Sequence, residues 1–166
     1  AMDERPYELM KEIIAFIHSA SPDLKIALAL EDWDEKLSPH VYSFSVSLGR
    51  YTRPEYIQKR DSLGLVSTFY PCCVEERPNT YPHSESAEAA WMGWLAAAEG
   101  FSGMLRWAYN SWVENPLHDT RFTQWNAGEC FLVYPGARSS IRFERLREGI
   151  QDYEKIKLVR DKLAAL

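Results

Sequence analysis

KIALAL at residues 25–30, VYSFSVSL at 41–48 and LVSTFY at 65–70 are the stretches that decide the fold. The first is a short, unbroken apolar run, the pattern of a parallel strand buried on both faces. The other two are rich in β-branched and aromatic residues and alternate in part. Outward from them the period changes. Leu9, Ile13, Phe16 and Ile17 recur at helical spacing, so Tyr7 to Ser19 is expected to be an amphipathic helix, with Pro6 tolerated in its first turn. Ser21-Pro22-Asp23 is a turn. Thr52 can cap a helix from about Pro54 to Ser62, which Gly64 ends. Three prolines mark 71–82 as a loop, after which Ser84 or Ser86 caps an Ala-rich helix reaching about Gly100. GMLRWAY at 103–109 reads as a fourth strand. Residues 110–127 hold turn residues and no clean period, so they form a long loop of the kind that often carries function. Phe131 to Tyr134 is a short extended piece, Pro135-Gly136 is a turn, and Ser139 or Ser140 precedes a final helix running to Leu166.

Strands and helices alternate, so the class is α/β, with parallel strands joined by right-handed crossovers. Four strands in this order fit an open sheet or half of a (β/α) barrel. The helix before the first strand would need a strand of its own, so the chain is expected to begin in mid-fold. A length of 166 residues suits one domain, taken as 1–166, with 1–6 as a flexible terminus and Ala1-Met2 as a tag remnant before a start methionine.

The net charge of −5 argues against nucleic acid as a partner. There is no apolar run near the length of a membrane span and no basic-then-apolar leader, which leaves the compartment open, secreted or periplasmic included. Cys72, Cys73 and Cys130 make no CxxC, and the adjacent pair reads as packing. His18, His40, His83 and His118 are scattered, so neither a metal nor a cofactor is expected.

In a (β/α) barrel the active site lies at the C-terminal ends of the strands. Glu31, Asp32 and Trp33 follow the first strand, Gly49, Arg50 and Tyr51 the second, Pro71 to Glu76 the third, and Asn110, Trp112, Glu114 and Asn115 the fourth. Asp3-Glu4 stands where a preceding strand would end. Carboxylates among aromatic walls suit glycoside hydrolysis, in which one acid protonates the leaving oxygen and a nucleophile supports the cationic transition state. Six Trp and nine Tyr supply the walls. Trp33, Tyr70, Trp107, Tyr109, Trp112 and Trp125 are candidate stacking surfaces, and Asn110, Glu114, Asn115 and Asn126 candidate partners of sugar hydroxyls. Glu31-Asp32 rivals Asp3-Glu4 on pattern alone, with a solvated loop or a helix cap as its plain alternative. Trp91 and Trp94 are expected in a core or an interface. Arg142, Arg145, Glu148, Asp152 and Glu154 are expected to form a salt-bridged helix face.

RWAYNSW at 106–112, WNAGE at 125–129, YPG at 134–136 and, most specifically, SIRFERLREGIQDYE at 140–154 resemble the C-terminal half of the catalytic barrel of glycoside hydrolase family 123, the β-N-acetylgalactosaminidases. The resemblance covers almost the whole chain. It implies a partial (half) TIM barrel made of the last four strands with their helices. It also implies substrate-assisted, retaining hydrolysis, in which the substrate's acetamido oxygen attacks the anomeric carbon. The family's Asp-Glu-Pro motif falls on Asp3-Glu4, with Arg5 intervening before Pro6. By that resemblance Asp3 orients the acetamido group and Glu4 is the general acid/base. Adjacent carboxylates at a strand end can both reach one pocket and push their pKa values apart. The implied partners are an N-acetylgalactosaminide and, through open sheet edges, a second copy of the chain or a missing N-terminal half. Two other readings remain: a carbohydrate-binding remnant without turnover, and a self-associating fragment with no ligand.

Overall fold

The computed structural model describes residues 5–48, 53–72, 77–121 and 125–166. Four strands form one parallel sheet in the order β1-β2-β3-β4: β1 Ala27–Leu30, β2 Ser43–Ser47, β3 Val66–Tyr70 and β4 Gly103–Met104. Four α-helices accompany them: α1 Tyr7–Ala20, α2 Pro54–Ser62, α3 Ser86–Glu99 and α4 Ile141–Ala164. The expected alternation is therefore present, and the class is α/β. A short 3-10 turn, Ser38–His40, adds to the β1–β2 connection.

The register sorts the side chains into two unlike faces. Leu28 stands beside Phe44, Leu30 beside Val46, and Val46 beside Phe69, and paired residues of parallel strands share a face. That face is apolar. It joins Met10 and Ile14 of α1, Ile57 of α2, Ala89, Met92 and Ala96 of α3 and Leu146 of α4 in one core. The other face carries Ala29, Ser45, Ser47, Thr68 and Tyr70. Burying the apolar side drives the assembly, at about 25 cal/mol per Å² of apolar surface.

Two expectations change in detail. The fourth strand was read over 103–109, yet only Gly103 and Met104 pair, with Thr68 and Phe69. β3 ends at Tyr70, so the alternating residues beyond Leu105 have no ladder to join. α3 was expected to start from a serine cap, but its N-cap is Glu85, without a side-chain cap bond, and Ser86 is already helical. The final helix keeps its expected cap. Ser140 Oγ accepts from the Phe143 amide at 3.1 Å and donates to the Leu132 carbonyl at 2.5 Å, which ties α4 to the preceding loop.

Candidate active site at the ends of the third and fourth strands

Beyond β4 the chain stays extended. The Leu105 amide still bonds the Phe69 carbonyl at 2.7 Å, and exposure then alternates. Ala108 is buried while Trp107 and Tyr109 are about half exposed. Arg106 shares the inward side with Ala108. Its Nη2 donates to the backbone carbonyl of Glu129. The return segment is held by an antiparallel bridge between Asn110 and Phe131, with the Leu132 amide on the Tyr109 carbonyl at 2.9 Å.

Under this loop lies a polar cluster away from water. Glu129 is 1% exposed, and its Oε2 lacks a hydrogen-bond partner. Arg142, on the first turn of α4, is 5% exposed and donates its Nη1 to the carbonyls of Thr80 and Gly128, both at 2.8 Å. Tyr81 is buried too, and its hydroxyl donates to the Cys72 carbonyl, just past β3, at 3.2 Å. The side chains of Asn126, Asn79 and Glu129 lie around the phenol. Burial pushes the Tyr81 pKa up; the two amides oppose that rise, and Glu129 adds to it. Burial lowers the Arg106 pKa, against the pull of Glu129. The Cys130 thiol is raised by burial and then by Glu129, the opposite of what a thiolate nucleophile needs.

The rim above the cluster is aromatic. Trp107 and Trp125 lie 5.5 Å apart between ring centroids, tilted by 56°, and both are substantially exposed. Asn126 is exposed beside them. Trp107, Trp125 and Asn126 are therefore brought together, with Tyr70 partly buried at the end of β3. Tyr109 turns its ring edge-on to Phe143 of α4 at 6.0 Å. Trp112 donates its indole N–H to the Val133 carbonyl at 2.7 Å, farther along the loop. Glu114 and Asn115 are exposed, and the Asn115 carbonyl accepts from the amides of His118 and Asp119. That outer part of the loop also walls a cavity of about 570 Å³ between Leu117, Arg121, Tyr134 and Arg138.

Trp33 departs from its expected place. It is 7% exposed and packs in the core against Phe44 and Tyr56, with centroids 5.4 and 5.9 Å away, because an apolar ring just past β1 is drawn under the sheet's apolar face. Trp91 and Trp94 stand more than half exposed on α3, outside the core that was one of their two expected places. Asp32, of the rival acid pair, bonds the Trp33 amide and pairs with Arg53 at 3.0 Å. Asp3 and Glu4 lie outside the described residues. Arg145 and Glu148 pair at 2.6 Å and Lys155 and Asp152 at 3.0 Å, as a salt-bridged face should. Arg142 does not belong to that face. Its helical phase turns it inward beside Leu146. Among the described residues there is no cluster of three or more His, Cys, Asp or Glu able to hold a metal ion. No described helix is long and apolar enough to cross a membrane.

The catalytic-domain profile of glycoside hydrolase family 123 matches residues 1–159. The chain belongs to that family. No curated protein sequence matches it. Among solved structures, a family 123 glycoside hydrolase from Clostridium perfringens, described for glycolipid glycan hydrolysis, aligns with a TM-score of 0.87 at 29% identity. The alignment covers 99% of this chain and 31% of that one, so the chain spans about a third of the length of its relative. Membership concerns the chain as a whole. It does not by itself point to Tyr81, Arg106, Glu129 and Arg142, which sequence reading did not single out as site residues. Arg106 and Glu129 carried one signal, a lone charge inside an apolar stretch, as in GMLRWAY and GECFLVY, where a buried charge must meet polar partners.

Proposed function

We propose that this family 123 chain supplies half of a (β/α) barrel and that the assembled site hydrolyses β-linked N-acetylgalactosaminides with retention. The match of the family profile over residues 1–159 carries this reading. The unlike sheet faces support the barrel. The apolar face lies against the helices, and the small polar face of Ala29, Ser45, Ser47 and Thr68 is what a barrel interior near a site would present.

In the mechanism Glu4 donates a proton to the glycosidic oxygen as that bond breaks. The substrate's acetamido oxygen forms the new bond to the anomeric carbon, giving an oxazolinium intermediate. Asp3 accepts the acetamido N–H and steadies its growing positive charge. Water then attacks the anomeric carbon, losing its proton to Glu4, so two inversions leave net retention. Trp107 and Trp125 stack on the sugar's apolar face, and Asn126 bonds a hydroxyl. The test is release of nitrophenol from 4-nitrophenyl N-acetyl-β-galactosaminide, with Glu4→Gln as the control. Turnover that the substitution abolishes supports the reading. Turnover untouched by it rules out Glu4 as the acid.

A second reading is favoured by the exposure of both rim indoles in a chain covering 31% of its relative. The chain then binds sugar without turning it over. Indole quenching by N-acetylgalactosamine with no nitrophenol release would select it.

A further inference from the structure

We propose that the outward face of α3 is where two copies of this chain pair, helix against helix and antiparallel, through Trp91 and Trp94. Residues 89–98, AAWMGWLAAA, hold no charged side chain. The inward face of this run is already used. Ala89, Met92 and Ala96 enter the core, and Gly93 meets the backbone of α4. The opposite face carries Ala87, Trp91, Trp94 and Ala98, all exposed, with Ala90 and Leu95 partly buried at its sides. Trp91 is 62% and Trp94 54% exposed. A helix that is apolar all round is one covered all round. Barrel helices form an outer ring, so strands added to the sheet would leave this face outermost. Trp94 is set in place beforehand, because its indole N–H donates to Asp152 of α4 at 3.1 Å, and Asp152 pairs with Lys155 at 3.0 Å.

The spacing of the face fits a second copy of itself. Steps of four, three and four residues lead from Ala87 to Ala98, the seam spacing of paired helices. The set is symmetric about the step from Met92 to Gly93. A two-fold axis there sets each Trp91 at the level of the partner's Trp94, and each Ala87 at the level of the partner's Ala98. Side chains on a helix lean toward its N-terminus, so each Trp91 ring is carried over the partner's Ala98, whose methyl leaves it room. At about 250 Å² per side chain, covering the exposed parts of these rings in both copies removes roughly 600 Å² from water, half of the ~1,200 Å² at which stable interfaces begin. The alanines and Leu95 of both copies add to it, which places the pair among weak, reversible dimers.

The experiment is sedimentation equilibrium from low to high micromolar concentration on wild type, Trp91→Glu and Phe16→Glu, the last a control at a comparably exposed apolar residue of α1. Wild type and Phe16→Glu are expected to approach twice the chain mass, and Trp91→Glu to dissociate at least about thirtyfold more readily. Far-UV circular dichroism checks that both variants keep their helices. Wild type at one chain mass throughout would overturn the proposal and leave the face to another occupant, such as the rest of a longer polypeptide. A dimer that Trp91→Glu leaves intact would overturn it too, since the contact would then lie elsewhere, at the sheet edges for instance. The register is read by disulfide capture in a chain with Cys72 and Cys73 replaced by serine. Ala87→Cys mixed with Ala98→Cys is expected to give a cross-linked pair. Either variant alone should give none, because its two copies of the thiol lie eleven residues apart along the paired helices, about 16 Å, beyond the ~7 Å Cα limit of a disulfide. Cross-linking as ready in the single variants as in the mixture would overturn the antiparallel pairing.

Discussion

Arg60 is 2% exposed, and among the described residues it is held by backbone carbonyls and hydroxyls. Its guanidinium donates to the carbonyls of Ser38, Val41, Tyr42 and Val66 and to the hydroxyls of Ser38 and Ser67. Burial lowers its pKa to about 10. It gathers the entries to β2 and β3 at the end of the sheet away from the rim. Arg60→Met would orphan those carbonyls, and we expect a loss of about 3 kcal/mol or more in denaturant unfolding. In sequence Lys59 and Arg60 look alike. Only the helical phase shared with Ile57 separates the exposed cation from the buried one. Trp33 and Arg142 were misplaced for the same reason, since residue type suggests a role while phase and packing decide which side it faces. An exposed pair behaves differently. The Arg121 side chain, and then its amide, hold the Asp119 carboxyl down at about 2 from an ordinary 3.8. A depressed acid adds stability above its unfolded pKa and loses it as pH falls through the folded one. Between pH 4 and 2 the wild-type melting temperature should therefore fall more than that of Asp119→Asn.

At the scale of elements, α1, α2 and the first three strands were legible in place and type, but the buried face of α1 was not: of the apolar set Leu9, Ile13, Phe16 and Ile17, Leu9 and Phe16 stand exposed, and Met10 and Ile14 enter the core instead. β4 was not legible. Its alternation through Tyr109 is real, but a strand also needs a partner, and β3 stops first. The contact of α3 with α4 was equally hidden. A Cβ on Gly93 would stand 1.9 Å from the Gly149 carbonyl oxygen, and one on Gly149 would stand 2.3 Å from that of Ala90, so the two helix backbones touch. In an isolated helix Gly→Ala gains roughly 1 kcal/mol. Here the backbones must part. Gly93→Ala should destabilise by about 2 kcal/mol net in thermal or denaturant unfolding. The AWMGWLAAAE pattern reads as ordinary helix, and nothing in its period identifies Gly93 as the crossing point.

For the whole molecule, the sheet is a device for separating two environments. One face is apolar and anchored by helices, and the other carries the serines of β2 with Thr68 and Tyr70 of β3, with the candidate site gathered where β3 and β4 end. Legibility follows this division. The fold came from apolar patterning, which sequence displays directly. The rim came from its cluster of indoles and from family resemblance. The buried network beneath it stayed hidden, because Tyr81, Arg106, Glu129 and Arg142 come from four separate stretches that only folding brings together. Five described indoles are exposed: Trp107 and Trp125 at the strand ends, Trp112 farther along the loop, and Trp91 and Trp94 on α3. The most direct test is a titration of the labelled chain with N-acetylgalactosamine, following the six Trp indole N–H resonances by NMR. A sugar site at the strand ends predicts that the Trp107 and Trp125 resonances move together and saturate, while those of Trp33, Trp91 and Trp94 stay still. Movement confined to Trp91 and Trp94, or no movement at millimolar sugar, would contradict it.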